Sequence, residues 1–171
     1  MAHTPPILCI VGQKAAGKTT LIERLVPELT RRGYRVATAK RPPHHFEFDS
    51  PGKDSFRHFQ AGAEATLVYG EDRLALVRRH DGLPGLEALV TEFLGGYDLV
   101  LAEGHKRAAL PKIEVFRTGT HPRPLYQGQP EWLAIASDEP LELGIPWLPL
   151  SDPAAIADFV ASQFPGPAAA R

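Results

Sequence analysis

The 171-residue chain has one cysteine, Cys9, and so no internal disulfide framework. No apolar run approaches the ~20 residues that a membrane span requires. The opening residues, Met1-Ala2-His3-Thr4-Pro5-Pro6, lack the charged and apolar regions of a secretory signal. Neither sign of charge dominates: 19 Lys and Arg stand against 20 Asp and Glu, a net charge of −1. No general attraction to nucleic acid or to an anionic membrane is therefore expected. Histidine and cysteine are also scarce in metal-ligand spacing. Adjacent His44 and His45 point to opposite faces on extended backbone, with no Cys or third His near them, so a phosphate- or substrate-facing loop is the better reading. These absences leave a soluble, cytoplasmic globular protein, expected as one domain over residues 1–164 with a flexible tail over 165–171.

What is present is concentrated near the start. Ile7-Leu8-Cys9-Ile10-Val11 is an apolar strand, and Gly12-Gln13-Lys14-Ala15-Ala16-Gly17-Lys18-Thr19-Thr20 follows directly. Gly12, Gly17, Lys18 and Thr19 fill the G-x-x-x-x-G-K-[ST] pattern without a mismatch. The chemistry behind each position is specific. Glycines allow the tight turn that brings successive N–H groups to phosphate oxygens, and the loop opens into a helix N-terminus that favours an anion. Lys18 is placed for the β- and γ-phosphates and the Thr19 hydroxyl for Mg²⁺. Leu21, Ile22, Leu25, Val26 and Leu29 then recur with helical spacing, the context this motif requires.

Further along, the spacing predicts a helix to about Arg32 that passes Pro27 and is closed by Gly33, then a strand over 34–40. Together with the first strand these make a βαβ unit and a parallel sheet. Phe46-Glu47-Phe48-Asp49 alternates, and Lys53 to Ala61 reads as a short helix. Ala65-Thr66-Leu67-Val68-Tyr69 and Arg73-Leu74-Ala75-Leu76-Val77, joined by Gly70-Glu71-Asp72, form a hairpin. That hairpin either extends its own sheet or offers an edge to a second subunit. A helix over 84–94 should turn Leu86, Leu89, Val90 and Phe93 inward. Strands over 97–104, 113–116 and 132–136, a short extended piece at 146–150 and a capped helix from Pro153 complete an α/β chain. The fold class is thus a P-loop NTPase-type three-layer fold: a mainly parallel sheet with an inserted antiparallel hairpin.

Two acids compete for the metal. Glu103 tips the apolar run Leu99 to Ala102, where a strand-end acid beside the phosphates belongs, and Asp49 follows the second strand; each could instead be a surface acid or a turn cap. Asp138, after the strand ending at Ala136, fits an acceptor for the guanine N1 and N2 donors, though no N-K-x-D is present and it could cap a turn. Lys53, Arg57, His105, Lys106 and Lys112 could add positive charge around a polyanion. No residue declares itself as a water-orienting group, although Arg57 is a candidate arginine finger, so turnover below roughly 1 s⁻¹ is expected. A metallochaperone-type GTPase and a P-loop small-molecule kinase stay open beside a binding adapter.

Four stretches together resemble one family, the molybdopterin-guanine dinucleotide biosynthesis adapter proteins (MobB). They are 12–20; His44-His45-Phe46-Glu47-Phe48-Asp49-Ser50-Pro51-Gly52-Lys53-Asp54-Ser55-Phe56-Arg57-His58; Gln60-Ala61-Gly62-Ala63; and Glu103-Gly104-His105-Lys106 with Pro111-Lys112-Ile113-Glu114-Val115-Phe116-Arg117. The resemblance implies a homodimer that binds GTP with Mg²⁺, hydrolyses it slowly, and assists the molybdenum cofactor guanylyltransferase that joins GMP to molybdopterin; molybdopterin itself is a further possible ligand. By position, Lys18 and Glu103 would serve hydrolysis. Gly12, Gln13, Lys14, Ala15, Ala16, Gly17, Lys18, Thr19 and Thr20 would hold the phosphates and Asp138 the base, with Thr19, Asp49 and Glu103 in the Mg²⁺ shell. The chain departs from the family at Arg41-Pro42-Pro43, where His commonly follows the strand-ending lysine.

Overall fold

In a computed structural model the described residues are 4–42, 49–82 and 84–166. The expectations placed on His44, His45 and Phe46 to Phe48, on the first three residues and on 167–171 lie outside them. The chain forms two compact units, Met1–Arg41 with Leu86–Arg171, and Pro42–Gly85.

The first unit is built on a six-stranded sheet. In chain order its elements are β1 (Ile7–Val11), α1 (Lys18–Arg31) and β2 (Val36–Lys40) before the second unit. That unit contributes α2 (Asp54–Gln60), β3 (Ala65–Tyr69) and β4 (Leu74–Arg78). The chain then returns with α3 (Leu86–Leu94), β5 (Leu99–Glu103), β6 (Lys112–Phe116), β7 (Trp132–Ser137), β8 (Trp147–Pro149) and α4 (Pro153–Gln163). The sheet order is β2-β5-β1-β6-β7-β8, with every pairing parallel.

The unbroken apolar run of β1 has a plain cause: both of its faces are covered. Alternate residues Leu8 and Ile10 join Leu21, Leu25 and Leu29 of α1 and Ile156 and Val160 of α4 in one core. Ile7, Cys9 and Val11 turn the other way into a second core with Val90 of α3. Helices therefore lie on both faces, the three-layer arrangement expected. Burial pushes the Cys9 thiol up to about 11, so it is a small core residue and not a nucleophile at neutral pH.

Element boundaries follow local chemistry. α1 starts at Gly17, whose φ is 100°, and runs through Pro27 to Arg31. Gly33, at φ 89°, closes it, with the Gly33 and Tyr34 amides donating to the Thr30 and Leu29 carbonyls. Asp152 caps α4 by accepting from the Ala155 amide at 3.0 Å. The reading of α3 needs correction. It is Leu94, not Phe93, that packs inward with Leu86 and Val90; Phe93 is exposed. The inward stripe thus repeats every four residues, which a short helix permits before the stripe drifts off its face.

In the second unit β3 and β4 pair antiparallel and form a sheet of their own, so the hairpin does not extend the six-stranded sheet. One of its faces, Thr66, Val68, Ala75 and Val77, lines a cavity of about 270 Å³ with Asp49, Ser50, Lys53 and Ser55. The Arg79 guanidinium lies 4.4 Å from the Phe59 ring centroid and donates to the Phe59 carbonyl. No helix among the described residues is long and apolar enough to cross a membrane.

Candidate functional site

The chain leaves β1 for β2 on one side of the sheet and later passes from β5 to β6 across it. The crevice at the carboxyl end of β1 is thus the point where the connections diverge, the place where open α/β sheets bind ligands. Residues 12–20 occupy it. Positive φ values at Gly12 (149°), Ala15 (62°) and Gly17 (100°) turn the loop into a concavity of amides. A Cβ at Gly12 would overlap the Val115 carbonyl oxygen of β6, so only glycine fits there.

Lys18 folds back over this loop, its Nζ donating to the Gly12 carbonyl at 3.1 Å and the Gln13 carbonyl at 2.7 Å. Burial holds its pKa below the ordinary lysine value; Lys40 and Lys106 push the same way and Glu103 opposes them. A phosphate oxygen is a stronger partner for that ammonium than a neutral carbonyl. Thr19 begins the helix beside it, and its Oγ1 donates to Glu103 Oε2 at 3.0 Å. That contact joins two residues 84 positions apart, because β5 pairs with β1 in a register that sets Ile10 beside Glu103. A hydroxyl and a carboxylate at this separation are hard oxygen donors suited to Mg²⁺. The Thr19 hydroxyl aims its proton at the carboxylate, which leaves its lone pairs for a cation.

Three further residues grip the loop, and sequence reasoning gave none of them this role. Arg117 Nε donates to the Ala16 carbonyl at 3.3 Å, and its guanidinium stands close to Gly17. His121 Nε2 meets the Lys14 carbonyl at 2.9 Å, and Gln13 Nε2 donates to the Arg123 carbonyl at 2.8 Å. The signal available was Arg117 itself, one residue past β6, whose pairing with β1 carries that strand end alongside the phosphate loop. Lys40 is the other omission: it pairs in register with Glu103 and donates to the same Oε2 at 3.2 Å.

The segment after β6 is held from below by a buried carboxylate. Glu114 accepts from the Leu125 amide at 2.7 Å and the Tyr126 amide at 3.0 Å. Burial raises its pKa, and the two amides counter that in part. Lys112, expected near a polyanion, is instead fully buried, with its Nζ on the Ala108 and Leu110 carbonyls and near Glu131. Its role is to satisfy the carbonyls of the β5–β6 connection, since a buried ammonium needs partners. His105, in that connection, has φ 61°, and burial followed by the Arg41 charge lowers its pKa.

Beside the loop, Phe116, Thr118 to Pro124 and Leu141 line an open concavity of about 630 Å³. Asp138, one residue past β7, sits near it and accepts from the Thr118 amide at 3.0 Å. That bond, aided by Arg117, holds its carboxyl below the usual range. Asp49 belongs to the second unit, where its Oδ1 accepts from the Ser50 amide at 2.8 Å. Thr20, Lys14 and Ala15 are exposed. Among the described residues no three His, Cys, Asp or Glu side chains cluster as a metal site.

A G-x-x-x-x-G-K-T loop at the switch point of a parallel three-layer sheet, with a strand-end acid on its threonine, defines a nucleotide-binding protein of the P-loop class. The chain belongs to the MobB family, whose model, described as "Molybdopterin guanine dinucleotide synthesis protein B", matches residues 7–138. It is 37% identical over 163 residues to the molybdopterin-guanine dinucleotide biosynthesis adapter protein of Escherichia coli (strain K12), covering 91% of each chain. The protein of the same name from Haemophilus influenzae is 36% identical, over 94% of this chain and 90% of its own. A solved structure titled as molybdopterin-guanine biosynthesis protein B superposes with a TM-score of 0.72 at 31% identity, over 92% of this chain and 99% of that one. The chain's role is accordingly in molybdenum cofactor biosynthesis.

Proposed function

We propose that this chain binds GTP with Mg²⁺ as a cytoplasmic adapter for the guanylyltransferase that attaches GMP to molybdopterin, and that it hydrolyses the nucleotide only slowly. The observation that carries the reading is the convergence of Lys18, Thr19 and Glu103 on one loop, next to a concavity large enough for a nucleoside. Lys18 and the loop amides would hold the phosphates; Thr19 and Glu103 would hold Mg²⁺, which supplies charge neutralisation across the phosphates. The guanine assignment rests on Asp138: an ionised carboxylate beside the concavity accepts from the guanine N1 and N2 donors, whereas adenine offers no such pair. Slow turnover is favoured because Arg57, the candidate arginine finger, forms an ion pair with Asp54.

The test is a titration of GTP against ATP with Mg²⁺, with and without the guanylyltransferase. A hydrogen bond to a charged group is worth about 1.5–3 kcal/mol net, so GTP should bind about ten- to a hundredfold more tightly. Asp138→Asn, which keeps an acceptor for the Thr118 amide, should lose that preference. Preference for ATP would point to the kinase reading instead.

The same proposal includes a homodimer through the hairpin. Leu67 faces Leu76 and Tyr69 faces Leu74 across β3–β4, and these four stand 43–79% exposed on one side of a two-stranded sheet. An apolar face of this kind, with unpaired strand edges, is stabilised by covering it with a second copy. Leu67→Asp with Leu76→Asp should convert a dimer to a monomer in light scattering, while far-ultraviolet circular dichroism stays unchanged. A dimer that survives the pair of substitutions would move the interface elsewhere.

A further inference from the structure

Glu103 serves two donors with a single oxygen. Its Oε2 takes the Thr19 hydroxyl at 3.0 Å and the Lys40 ammonium at 3.2 Å. We propose that Lys40 is an internal counter-cation of the metal position, bound to Glu103 until a divalent cation arrives with the nucleotide and displaces it. The inference rests on the nucleotide reading of the loop and adds a residue to which that reading assigns nothing.

Geometry makes the two cations competitors. A magnesium ion held by Thr19 and Glu103 sits about 2.1 Å from its oxygen ligands. An ammonium on the same carboxylate oxygen would then lie within about 5 Å of it, close enough for strong repulsion even in a partly solvated site. The two partners are unequal in mobility. Glu103 is fixed at the end of a central strand and is 15% exposed, whereas the Lys40 side chain is 59% exposed on a flexible stem. Lys40 is therefore the member that leaves. Lys18, close to Lys40 and Lys106, adds to a positive neighbourhood that opposes entry of a bare divalent cation until anions offset it. A triphosphate supplies the negative charge that accepts the displaced ammonium. Metal without nucleotide meets Lys40 still in place, so Lys40 positions the site for joint entry of the two.

The experiment uses the full chain with excess protein over a non-hydrolysable GTP analogue and follows Mn²⁺ uptake by the electron paramagnetic resonance of the free ion. Lys40→Met removes the charge and keeps the length; Lys40→Arg keeps the charge. The half-saturating Mn²⁺ concentration should fall about two- to fivefold in Lys40→Met, the range for an exposed ion pair. It should stay at the wild-type value in Lys40→Arg, and the difference should shrink at high salt. A merely structural role for Lys40 would not produce a gain in metal affinity. Unchanged or weaker Mn²⁺ uptake in Lys40→Met, with wild-type binding intact, overturns this inference alone. Absence of nucleotide-dependent uptake in the wild-type chain overturns the nucleotide site and this inference together.

Discussion

Lys18→Ala is expected to weaken nucleotide binding about a hundredfold or more while leaving the fold intact. Among the described residues the lysine donates to the Gly12 and Gln13 carbonyls, both within its own loop. Its loss therefore removes no strand pairing, and Leu21, Leu25 and Leu29 keep α1 seated on the sheet. For a bound triphosphate the change is different in kind. Charge-assisted bonds to phosphate are worth about 1.5–3 kcal/mol each in net terms, and each 1.4 kcal/mol is tenfold in affinity. Calorimetric titration with GTP and Mg²⁺ reads the binding, and thermal unfolding of the free protein reads the fold. A variant that melts with the wild type and binds GTP equally well would remove the loop from the site.

The second large effect is expected at Gly12, and it combines folding with function. Its φ of 149° is a conformation that side-chain-bearing residues rarely adopt, and a Cβ there would overlap the Val115 carbonyl oxygen. Val115 cannot move aside cheaply. It lies in β6, paired on one side with β1 through Ile10–Ile113 and Val11–Glu114 and on the other with Ala136 of β7. Gly12→Ala should therefore cost about 2–4 kcal/mol, the sum of backbone strain and a steric overlap that only separation of β1 from β6 relieves. Urea unfolding should show a lower midpoint at unchanged slope, and nucleotide binding should fall with it. Gly33→Ala is the control. Its φ is also positive, at 89°, but a Cβ there meets nothing within 4 Å, so only the conformational cost of about 1 kcal/mol remains. Equal midpoints for the two variants would show that Val115 does yield.

Much of this was readable from residue order, and for local reasons. An apolar run, a glycine-bearing loop with Lys18 and Thr19, and a helical repeat after it are contiguous, so their chemistry and their geometry are both set within one short stretch. The position of Glu103 also needed only local information: an acid tipping an apolar strand falls at the carboxyl edge of a parallel sheet wherever that strand is inserted. The hairpin was legible from alternation and its turn. Lys112 was misread because lysine is rarely buried, and only the surrounding carbonyls of the β5–β6 connection explain its position. Phe93 and Leu94 are neighbours on a helix of nine residues, too short for periodicity to separate them.

The order of residues alone determined the glycine-lysine-threonine loop after β1 and the layered α/β architecture, because each depends on side chains adjacent in the chain or repeated at a fixed period. Tertiary structure decided which strands lie side by side, and with that everything that depends on contacts between distant residues. The register of β2 on β5 brings Lys40 to Glu103, and the register of β6 on β1 carries Arg117 and its following segment onto the loop. Strand adjacency is a choice among packings of similar local sequence, settled by burial of both sheet faces at once, and no single segment encodes it.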